Sequence, residues 1–358
     1  MSTFEVKVRK IDNIEPHSNA DRLELVSIGG YRAVVQKGIH GVEDLIVYLP
    51  TDSVIPDGVA VDLGIKDYLV GKQKNRIKAV RLRGEISQGI VLPLQKVVDY
   101  LGWKDEVIPD VTDFAGELEI DKYEEPIPVQ MQGKARPWPS YLTKYDIENV
   151  NRPEALHLLE GKEVVATEKL HGTNMAVSIA CVNEVWEQHV CSRNFSLEEA
   201  EGNLYWIAAR KYELLPKIES MISAPFLREM LNIDEIQEVT LRGEAVGVQD
   251  LKYGFNGGDP GFFVFDICVN GSYIPFVNVV SICSQYNIPV VPLVYADQYD
   301  YGVLKELSQA SSQLGGGVRE GIVVKPSTYD EYVHGFGRVI VKFINEDYLT
   351  RKGGSEHH

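Results

Sequence analysis

The sequence predicts an α+β protein of two domains, with a small closed β-barrel first and a larger domain of strands and helices second. The chain has 358 residues, which exceeds one average domain of roughly 150 residues. Short apolar runs separated by glycine turns fill the first third, whereas strand and helix patterns mix beyond residue 140. An acidic, proline-containing stretch from Asp105 to Pro128 lies between these regions. We therefore expect domains over 1–125 and 141–352, a linker over 126–140 and a tail over 353–358.

Composition excludes several classes of protein. The chain is 44% hydrophobic and 25% charged, as in ordinary globular proteins rather than disordered or fibrous ones. No apolar run approaches the roughly 18 residues that a membrane span needs, and the first residues have no signal-peptide core. The four cysteines show no CxxC pair and no zinc-ligand spacing. These features predict a cytoplasmic protein with free thiols and no membrane partner.

The charge balance argues against nonspecific coating of nucleic acid. Lys and Arg number 36 and Asp and Glu number 52, so the net charge is −16, whereas phosphate binding needs clustered cations. One basic segment nevertheless stands out, and it contains Lys72, Lys74, Arg76 and Lys78, followed by Arg81 and Arg83. On a strand, the first four would share one face. They are candidates for nucleic-acid binding or, alternatively, for a solvated edge strand that resists aggregation.

Element patterns are clearest at apolar runs. In the first domain, strands are predicted at Phe4–Ile11, Leu23–Ile28, Tyr31–Val35 and Leu45–Leu49. In the second domain, strands are predicted at Glu163–Thr167, Ala176–Ile179, Thr240–Val246, Phe262–Ile267, Gly321–Val324 and Val339–Phe343. Helical patterning predicts helices at Leu197–Arg210, Asn278–Tyr286 and Leu304–Leu314.

The segment that indicates chemistry is Glu168-Lys169-Leu170-His171-Gly172-Thr173-Asn174, which directly follows the apolar run Val164–Thr167. A lysine at the end of a buried strand, before a glycine turn, is partly desolvated. Desolvation and nearby cations lower the pKa of a lysine amine from its reference value of ~10.4, which favours the neutral nucleophile. Because Lys-x-x-Gly also occurs on ordinary surfaces, the residues downstream decide between a nucleophile and a solvated side chain.

Those downstream residues resemble the ordered motifs of the covalent nucleotidyltransferases, which include ATP-dependent polynucleotide ligases and capping enzymes. Lys169, His171, Gly172 and Asn174 resemble motif I of the RNA ligase branch, Lys-x-His-Gly-x-Asn. In DNA ligases and capping enzymes, Asp is usual where His171 stands. Further motifs follow in the family's order, namely Ser192-Arg193-Asn194 (Ia), Arg242-Gly243-Glu244 (III), Phe265-Asp266 (IIIa), Arg319–Lys325 (IV) and Val339–Phe343 (V). The likeness covers about residues 140 to 350.

The resemblance implies a role for each matched residue. Lys169 would attack the α-phosphorus of ATP and become lysyl-AMP, with His171 and Asn174 as further catalytic residues. Glu244 and Glu320 would bind Mg²⁺ or Mn²⁺, because such ions take a few carboxylates and otherwise keep water. The nucleotide contacts would be Glu168, Lys169, Arg193, Glu244, Phe265, Asp266, Lys325 and Lys342. From the residues alone, Phe265 also fits a core position, and Arg193 and Lys342 also fit surface positions.

A second resemblance concerns the N-terminal region. The segments His17–Leu23, Arg81–Gly84 and Ser87–Ile90 resemble OB modules that bind tRNA in synthetase-associated proteins. OB folds bind nucleic acid through a basic face and loops. The implied architecture is an OB-like barrel followed by a nucleotidyltransferase (ATP-grasp-like ligase) domain of antiparallel sheets flanked by helices. It is similar to an RNA ligase branch with an N-terminal OB domain.

Together these resemblances imply an ATP-dependent RNA ligase, an AMP-forming polynucleotide 5′-phosphate ligase that seals 5′-phosphate and 3′-hydroxyl ends. We expect a monomer that acts on nicked duplex or broken RNA ends, with end-healing enzymes supplied separately. A DNA ligase, a capping-type guanylyltransferase and a catalytically dead RNA-binding protein remain alternatives. Motif V departs from the family pattern, since Lys342 has Ile340 before it and Ile344 after it where a second lysine is common. Either one phosphate contact is missing, or Arg338 or another basic residue supplies it.

Overall fold

The computed structural model describes residues 4–71, 73–103, 108, 112–123, 135–315 and 317–351. Most of the expected linker and all of the expected tail lie outside these residues. The N-terminal region has strands β1 (Val8–Lys10), β2 (Asn13–Pro16), β3 (Leu23–Ile28), β4 (Tyr31–Gln36), β5 (Leu45–Leu49), β6 (Ser53–Val54), β7 (Val80–Leu82), β8 (Glu85–Ser87) and β9 (Ile90–Pro93). Its helices are α1 (Asp57–Asp62) and α2 (Leu94–Leu101), with a 3₁₀ turn at Lys66–Tyr68.

Two three-stranded antiparallel sheets form this region, in the orders β1-β5-β9 and β2-β3-β4. The β7–β8 hairpin packs beside β4, where the Ser87 hydroxyl oxygen accepts a hydrogen bond from the Val34 amide at 3.0 Å. Alternate residues of the strands fill the core; Val47 and Leu49 point to one cluster and Ile46 and Tyr48 to another. The strands at Leu23–Ile28 and Leu45–Leu49 have the bounds that their apolar patterns predict.

The His17–Leu23 motif has a structural role in the fold. The buried His17 imidazole lies 2.9 Å from the Leu82 carbonyl oxygen, and its Nδ1 accepts a hydrogen bond from the Asn19 amide at 3.0 Å. The Asn19 side chain donates to the Arg83 carbonyl. These bonds hold the β7–β8 hairpin against the turn before β3, since buried polar groups are stable only when paired.

The second region carries most of the remaining elements. One short strand, β10 (Asp121–Lys122), pairs with β6 and so belongs to the N-terminal region. The strands of the second region are β11 (Ala135–Arg136), β12 (Glu148–Asn149), β13 (Glu163–Lys169), β14 (Thr173–Val182), β15 (Val185–Cys191), β16 (Ser196–Leu197), β17 (Glu238–Val246), β18 (Gly261–Val269), β19 (Ser272–Tyr273), β20 (Leu293–Gln298), β21 (Gly321–Pro326), β22 (Tyr332–Val333), β23 (Gly337–Arg338) and β24 (Val341–Ile344). Its helices are α3 (Leu204–Lys211), α4 (Leu214–Ser223), α5 (Pro225–Leu231), α6 (Phe276–Gln285), α7 (Tyr301–Ser308) and α8 (Glu346–Thr350).

Two sheets organise this domain. One has seven strands in the order β11-β16-β15-β14-β17-β18-β19, and the other has five in the order β12-β24-β21-β13-β20. All neighbours are antiparallel except β12 and β24. Helices α4 and α6 pack on the first sheet, and α7 packs on the second. Because β13 ends in one sheet and β14 begins in the other, the Lys169–Asn174 segment lies where the two sheets meet.

The two regions touch directly. The Gly30 amide donates to the Asn151 carbonyl at 2.8 Å, and a Cβ on Gly30 would lie 2.6 Å from the Asn151 side-chain oxygen, so only glycine fits. Arg152 pairs with Glu5 at 2.9 Å across the same boundary. These contacts place the N-terminal sheets beside the segment that leads into β13.

Two predicted helices begin or end elsewhere. The predicted helix Leu197–Arg210 begins at Leu204, because Leu197 is in strand β16 and Asn203 caps the helix by accepting from the Tyr205 and Trp206 amides. The helix predicted to run to Leu314 ends at Ser308. Among the described residues, the chain forms no helix long and apolar enough to cross a bilayer.

Candidate active site

Lys169 stands at the last position of β13, opposite Gly321 of β21. Its Nζ contacts Oε1 of Glu320, whose carboxylate is fully buried directly before β21. A Cβ at position 321 would nearly overlap the Phe343 carbonyl oxygen, so β21 approaches β24 closely here. Glu320 therefore supplies a fixed carboxylate beside the lysine that the sequence predicts as nucleophile, and Gly321 lets the backbone of β21 pass close to that of β24.

An open pocket lies between the two sheets at this point. Its lining includes the predicted site residues Glu168, Lys169, Asn174, Arg193, Glu244, Phe265, Lys325 and Lys342. They come from β13, β14, the turn after β15, β17, β18, β21 and β24. The structure thus brings together eight residues that span 175 positions of the sequence.

Glu244 and Glu320 form the acidic part of the site. Asn174 stands opposite Glu244 in the β14–β17 register. Burial raises the pKa of Glu244 to about 8; the negative charge of Glu320 adds to this rise and the positive charge of Lys169 opposes it. Two neighbouring carboxylates repel each other when both are ionised, and a divalent cation bound between them would relieve that repulsion. In the part of the chain that the structure describes, no group of three or more His, Cys, Asp or Glu side chains forms a ready metal cage.

His171 is buried beside Glu320. Its Nε2 lies 2.6 Å from Oδ1 of Asp250, its Nδ1 lies 2.9 Å from the Tyr348 hydroxyl, and the same Nδ1 lies 3.6 Å from Oε2 of Glu320. It is not among the residues that line the pocket. The imidazole therefore stands behind the carboxylate that contacts Lys169.

Phe265 reaches the pocket beside a buried ionic cluster. Its ring packs against the Tyr145 ring with centroids 4.9 Å apart. Asp266 is fully buried; it accepts a hydrogen bond from the Tyr145 hydroxyl at 2.5 Å and contacts both Lys325 and Arg338. In the structure, Asp266 holds these neighbours and does not line the pocket, so its direct contact with nucleotide stays a prediction.

The cations around the pocket have different surroundings. Lys325 lines it, but its ammonium is held by the Asp266 carboxylate and by the Phe265 carbonyl at 3.1 Å. Arg193 pairs with Asp146 at 3.2 Å and is partly exposed. Lys342 lines this pocket and also a cleft between the two regions of the chain. Arg338 forms ion pairs with Asp266 and Asp330 and does not line the pocket. It therefore does not replace a second motif V lysine in this structure.

Glu168 is held from the opposite side. One carboxylate oxygen accepts from the Ser312 hydroxyl at 2.5 Å, and the other accepts from the Gln313 amide at 2.8 Å. Arg319 lies 3.6 Å from the second oxygen. The side chain that sequence reasoning assigned to nucleotide thus fixes the loop before β21 in this structure.

The basic segment at positions 72–78 does not have the strand geometry that would place its four cations on one face. No strand runs through its described residues; Lys74 has a left-handed φ of +48°, as in a turn, and Lys72 lies outside the described residues. The buried Arg76 pairs with Asp52 and lies 3.5 Å over the Tyr123 ring. Because Arg76 is used for folding and Lys74 lies in a turn, the described residues of this segment do not follow the alternation of a strand; their binding of nucleic acid stays a prediction.

Comparisons with known proteins identify the family and the fold of the chain. A model of the RNA ligase family matches residues 162–344, just over half of the chain. This chain belongs to the RNA ligase family. A second model, for an OB-fold domain, matches residues 5–94. No curated protein matches the chain.

Solved structures show the fold of this RNA ligase family member over its whole length. A variant of Naegleria gruberi RNA ligase with ATP and Mn is 24% identical, with 98% of this chain and 99% of that chain covered and a TM-score of 0.77. A variant with AMP and Mn is 23% identical, with coverages of 99% and 100% and a TM-score of 0.78. An apo variant is 23% identical, with both coverages 98% and a TM-score of 0.78. The fold is therefore an N-terminal OB region followed by a ligase domain of antiparallel sheets.

Three residues of this family member's site were missed by sequence reasoning, namely Tyr145, Asp250 and Tyr348. Tyr145 comes before the first motif, Asp250 lies between motifs III and IIIa, and Tyr348 follows motif V. None has a local spacing pattern that would mark it, because each reaches the site through tertiary packing.

Proposed function

We propose that this chain is an ATP-dependent RNA ligase that joins 5′-phosphate and 3′-hydroxyl RNA ends through a lysyl-AMP intermediate on Lys169. The observation that carries the proposal is the placement of Lys169, whose amine contacts Glu320 at the wall of a pocket that also contains Glu244, Arg193 and Lys342. Family membership supplies the RNA substrate class, and the Naegleria gruberi ligase variants solved with ATP or AMP support the nucleotide.

Adenylation follows from this arrangement. The Lys169 ammonium must lose one proton before it attacks, and the Glu320 carboxylate that contacts Nζ is placed to accept it. The amine then forms a nitrogen–phosphorus bond to the α-phosphorus, the bond from that phosphorus to the bridging oxygen breaks, and pyrophosphate leaves with the electron pair. The nitrogen releases its second proton to solvent. The positive charges of Arg193 and Lys342 offset the negative charge that spreads over the phosphate oxygens.

Two further transfers complete sealing. An oxygen of the RNA 5′-phosphate attacks the AMP phosphorus, the nitrogen–phosphorus bond breaks, and Lys169 regains its protons. The RNA 3′-hydroxyl then attacks the 5′-phosphorus, loses its proton, and displaces AMP. The Lys325 ammonium is buried against Asp266, so it can bind phosphate only if it leaves the Asp266 carboxylate. Phe265 offers the ring face for adenine.

Glu244 and Glu320 fit a divalent metal through the chemistry of their donors. Glu244 lines the pocket, Glu320 lies behind Lys169, and the raised pKa of Glu244 reflects burial together with the charge of Glu320. Mg²⁺ or Mn²⁺ needs few protein ligands when phosphate and water supply the rest. Such an ion would contribute positive charge near the α-phosphate.

The domain division that we propose is 1–125 for the OB domain and 141–352 for the catalytic domain. The contacts of Gly30 with Asn151 and of Glu5 with Arg152 support it, because they form a boundary between separately packed cores. We propose a monomer that works on nicked or broken RNA in the cytoplasm, with end-healing enzymes elsewhere.

The test is covalent labelling. Protein is incubated with α-phosphate-labelled ATP and Mg²⁺ or Mn²⁺, denatured, and examined for label, with Lys169→Ala alongside. Label on the wild type alone, followed by sealing of an RNA nick, is the expected result. Label from GTP instead of ATP would indicate a capping-type enzyme, and preference for a DNA nick would indicate a DNA ligase. Absence of label on AMP-free protein would overturn the proposal in favour of a dead RNA-binding protein.

A further inference from the structure

The turn that carries His171 is held by two elements that are distant in sequence. The loop after β17 supplies Tyr253, whose hydroxyl oxygen accepts a hydrogen bond from the His171 amide at 2.9 Å. The same loop supplies Asp250, and α8 supplies Tyr348. The imidazole is buried among them. The turn directly after the nucleophile is therefore fixed by side chains as well as by the strands on either side.

The partners of the two ring nitrogens define the orientation of His171. The Asp250 carboxylate 2.6 Å from Nε2 is an acceptor, so the hydrogen of the ring is on Nε2. Nδ1 then faces the Tyr348 hydroxyl at 2.9 Å and Oε2 of Glu320 at 3.6 Å. Rotation of the ring would break the hydrogen bond with Asp250 and would also move Nδ1, which lies beside Glu320.

Asp250 is itself held by Arg351. The guanidinium nitrogens lie 2.5 Å and 3.2 Å from its two carboxylate oxygens, which is a bidentate geometry. The same guanidinium lies 4.4 Å from the centre of the Tyr348 ring. Although burial acts to raise the pKa of Asp250, the hydrogen bond and charge of Arg351 outweigh it and lower that pKa to about 2. Asp250 is thus an ionised acceptor at neutral pH.

The exposure of the Asp250–Arg351 ion pair indicates that it orients His171 rather than stabilises the fold. The Asp250 side chain is 52% exposed, and Arg351 is 20% exposed. Ion pairs that water can reach contribute little to the free energy of folding. Yet their contacts lead inward: Asp250 is hydrogen-bonded to His171, the His171 ring packs against Glu320 with Nδ1 3.6 Å from Oε2, and Glu320 pairs with the Lys169 amine.

We propose that Asp250 and Arg351 are positioning residues for lysine adenylation, which fix the His171 ring behind Glu320 and thereby the direction in which the Lys169 amine points. The inference rests on the proposed function, because it concerns the same reaction. It assigns a role to two residues outside the family motifs. The two residues would affect the geometry of attack rather than the binding of ATP, since neither lines the nucleotide pocket.

The experiment measures single-turnover formation of covalent AMP over a range of ATP concentrations, using the full chain. Asp250→Ala should lower the maximal rate ~10- to 100-fold, because a small misplacement of a reacting group costs about that much. The ATP concentration at half-maximal rate should stay within about twofold. Asp250→Asn keeps an oxygen that can accept from Nε2, so it should recover part of the rate. The matched control is Asp259→Ala, which removes another exposed aspartate of the same loop that pairs with Lys211 instead of His171 and should match the wild type.

A double variant isolates the path through His171. In a His171→Ala background, adding Asp250→Ala should cause no further loss, because the two residues act through one contact. A full wild-type rate for Asp250→Ala, a loss confined to the ATP concentration dependence, or additive losses in the double variant would each overturn the inference. Thermal melting of Asp250→Asn and Arg351→Lys separates misfolding from misorientation. If wild-type protein forms no lysyl-AMP, the proposed function fails as well; normal labelling with an unaffected Asp250→Ala refutes the positioning role alone.

Discussion

The buried cluster around Asp266 allows a quantitative prediction for Asp266→Asn. The Asp266 carboxylate is fully buried and contacts the ammonium of Lys325 and the guanidinium of Arg338, whose side chains are 8% and 11% exposed. It also accepts from the Tyr145 hydroxyl. The substitution leaves two buried cations beside a neutral amide, and removal of one member of a buried pair costs ~3–5 kcal/mol. For a domain of this size, this corresponds to a melting temperature lower by about 6–20 °C.

The pH dependence gives the same prediction a second test. Burial acts to raise the pKa of Asp266, but Arg338 and Lys325 lower it from 3.8 to about 2. A depressed pKa in the folded state means that the contribution is fully present above pH ~4 and is lost as the pH falls through about 2. The pKa difference corresponds to about 2 kcal/mol. The stability gap between wild type and Asp266→Asn should therefore narrow as the pH falls below 4.

Urea denaturation at pH 7 and near pH 3 measures both effects. Asp297→Asn is the matched control, because Asp297 is exposed on β20 and pairs with no cation among the described residues; it should change the free energy of unfolding by less than ~0.5 kcal/mol. An Asp266→Asn protein within 1 kcal/mol of wild type at pH 7 would refute the view that this cluster is a set of buried, mutually dependent charges.

Two further predictions concern residues that the sequence singled out. Glu320→Gln should reduce lysyl-AMP formation by ~100-fold or more in the labelling assay, because the amide can neither accept the Lys169 proton nor bind a cation as a carboxylate does; full activity would remove Glu320 from both its metal and proton roles. Since the change also leaves the Lys169 ammonium beside a neutral amide, thermal melting is measured alongside to separate lost chemistry from lost stability. Arg76→Met should destabilise the N-terminal region by ~3 kcal/mol in urea denaturation, because it leaves the buried Asp52 carboxylate without its cation. Lys74→Met, in the exposed turn, should leave stability unchanged; equal effects of the two changes would contradict the buried-pair assignment.

The family motifs could be predicted from the sequence because each is a local pattern with a local cause. The Lys169–Asn174 segment needs a strand end, a turn and a following strand, and all three are encoded within about a dozen residues. Glu320 was predictable because a carboxylate before a glycine and an apolar run is rarely accidental. The strand patterns of Leu23–Ile28 and Leu45–Leu49 likewise follow from alternation of apolar side chains.

The basic segment shows why other predictions failed. Alternating lysines and arginines at 72–78 match the period of a strand, but periodicity carries no information about which cation is needed to neutralise a buried acid. Arg76 pairs with Asp52, which is 24 positions away, and this long-range demand overrides the local pattern. Asp266 illustrates the same limit, since its partners Tyr145 and Arg338 come from opposite ends of the catalytic domain.

The sequence by itself determined the family and the order of the motifs, and it pointed to Lys169 as the proposed nucleophile, because chemistry requires particular residue types and strands impose their spacing. Only the tertiary structure decided which cations face the pocket, which are used to stabilise buried acids, and how Asp250, Tyr348 and Arg351 surround His171. Those contacts depend on where two sheets and a C-terminal helix meet. A hydrogen bond between residues some 80 to 180 positions apart is fixed by packing, and no local pattern records it.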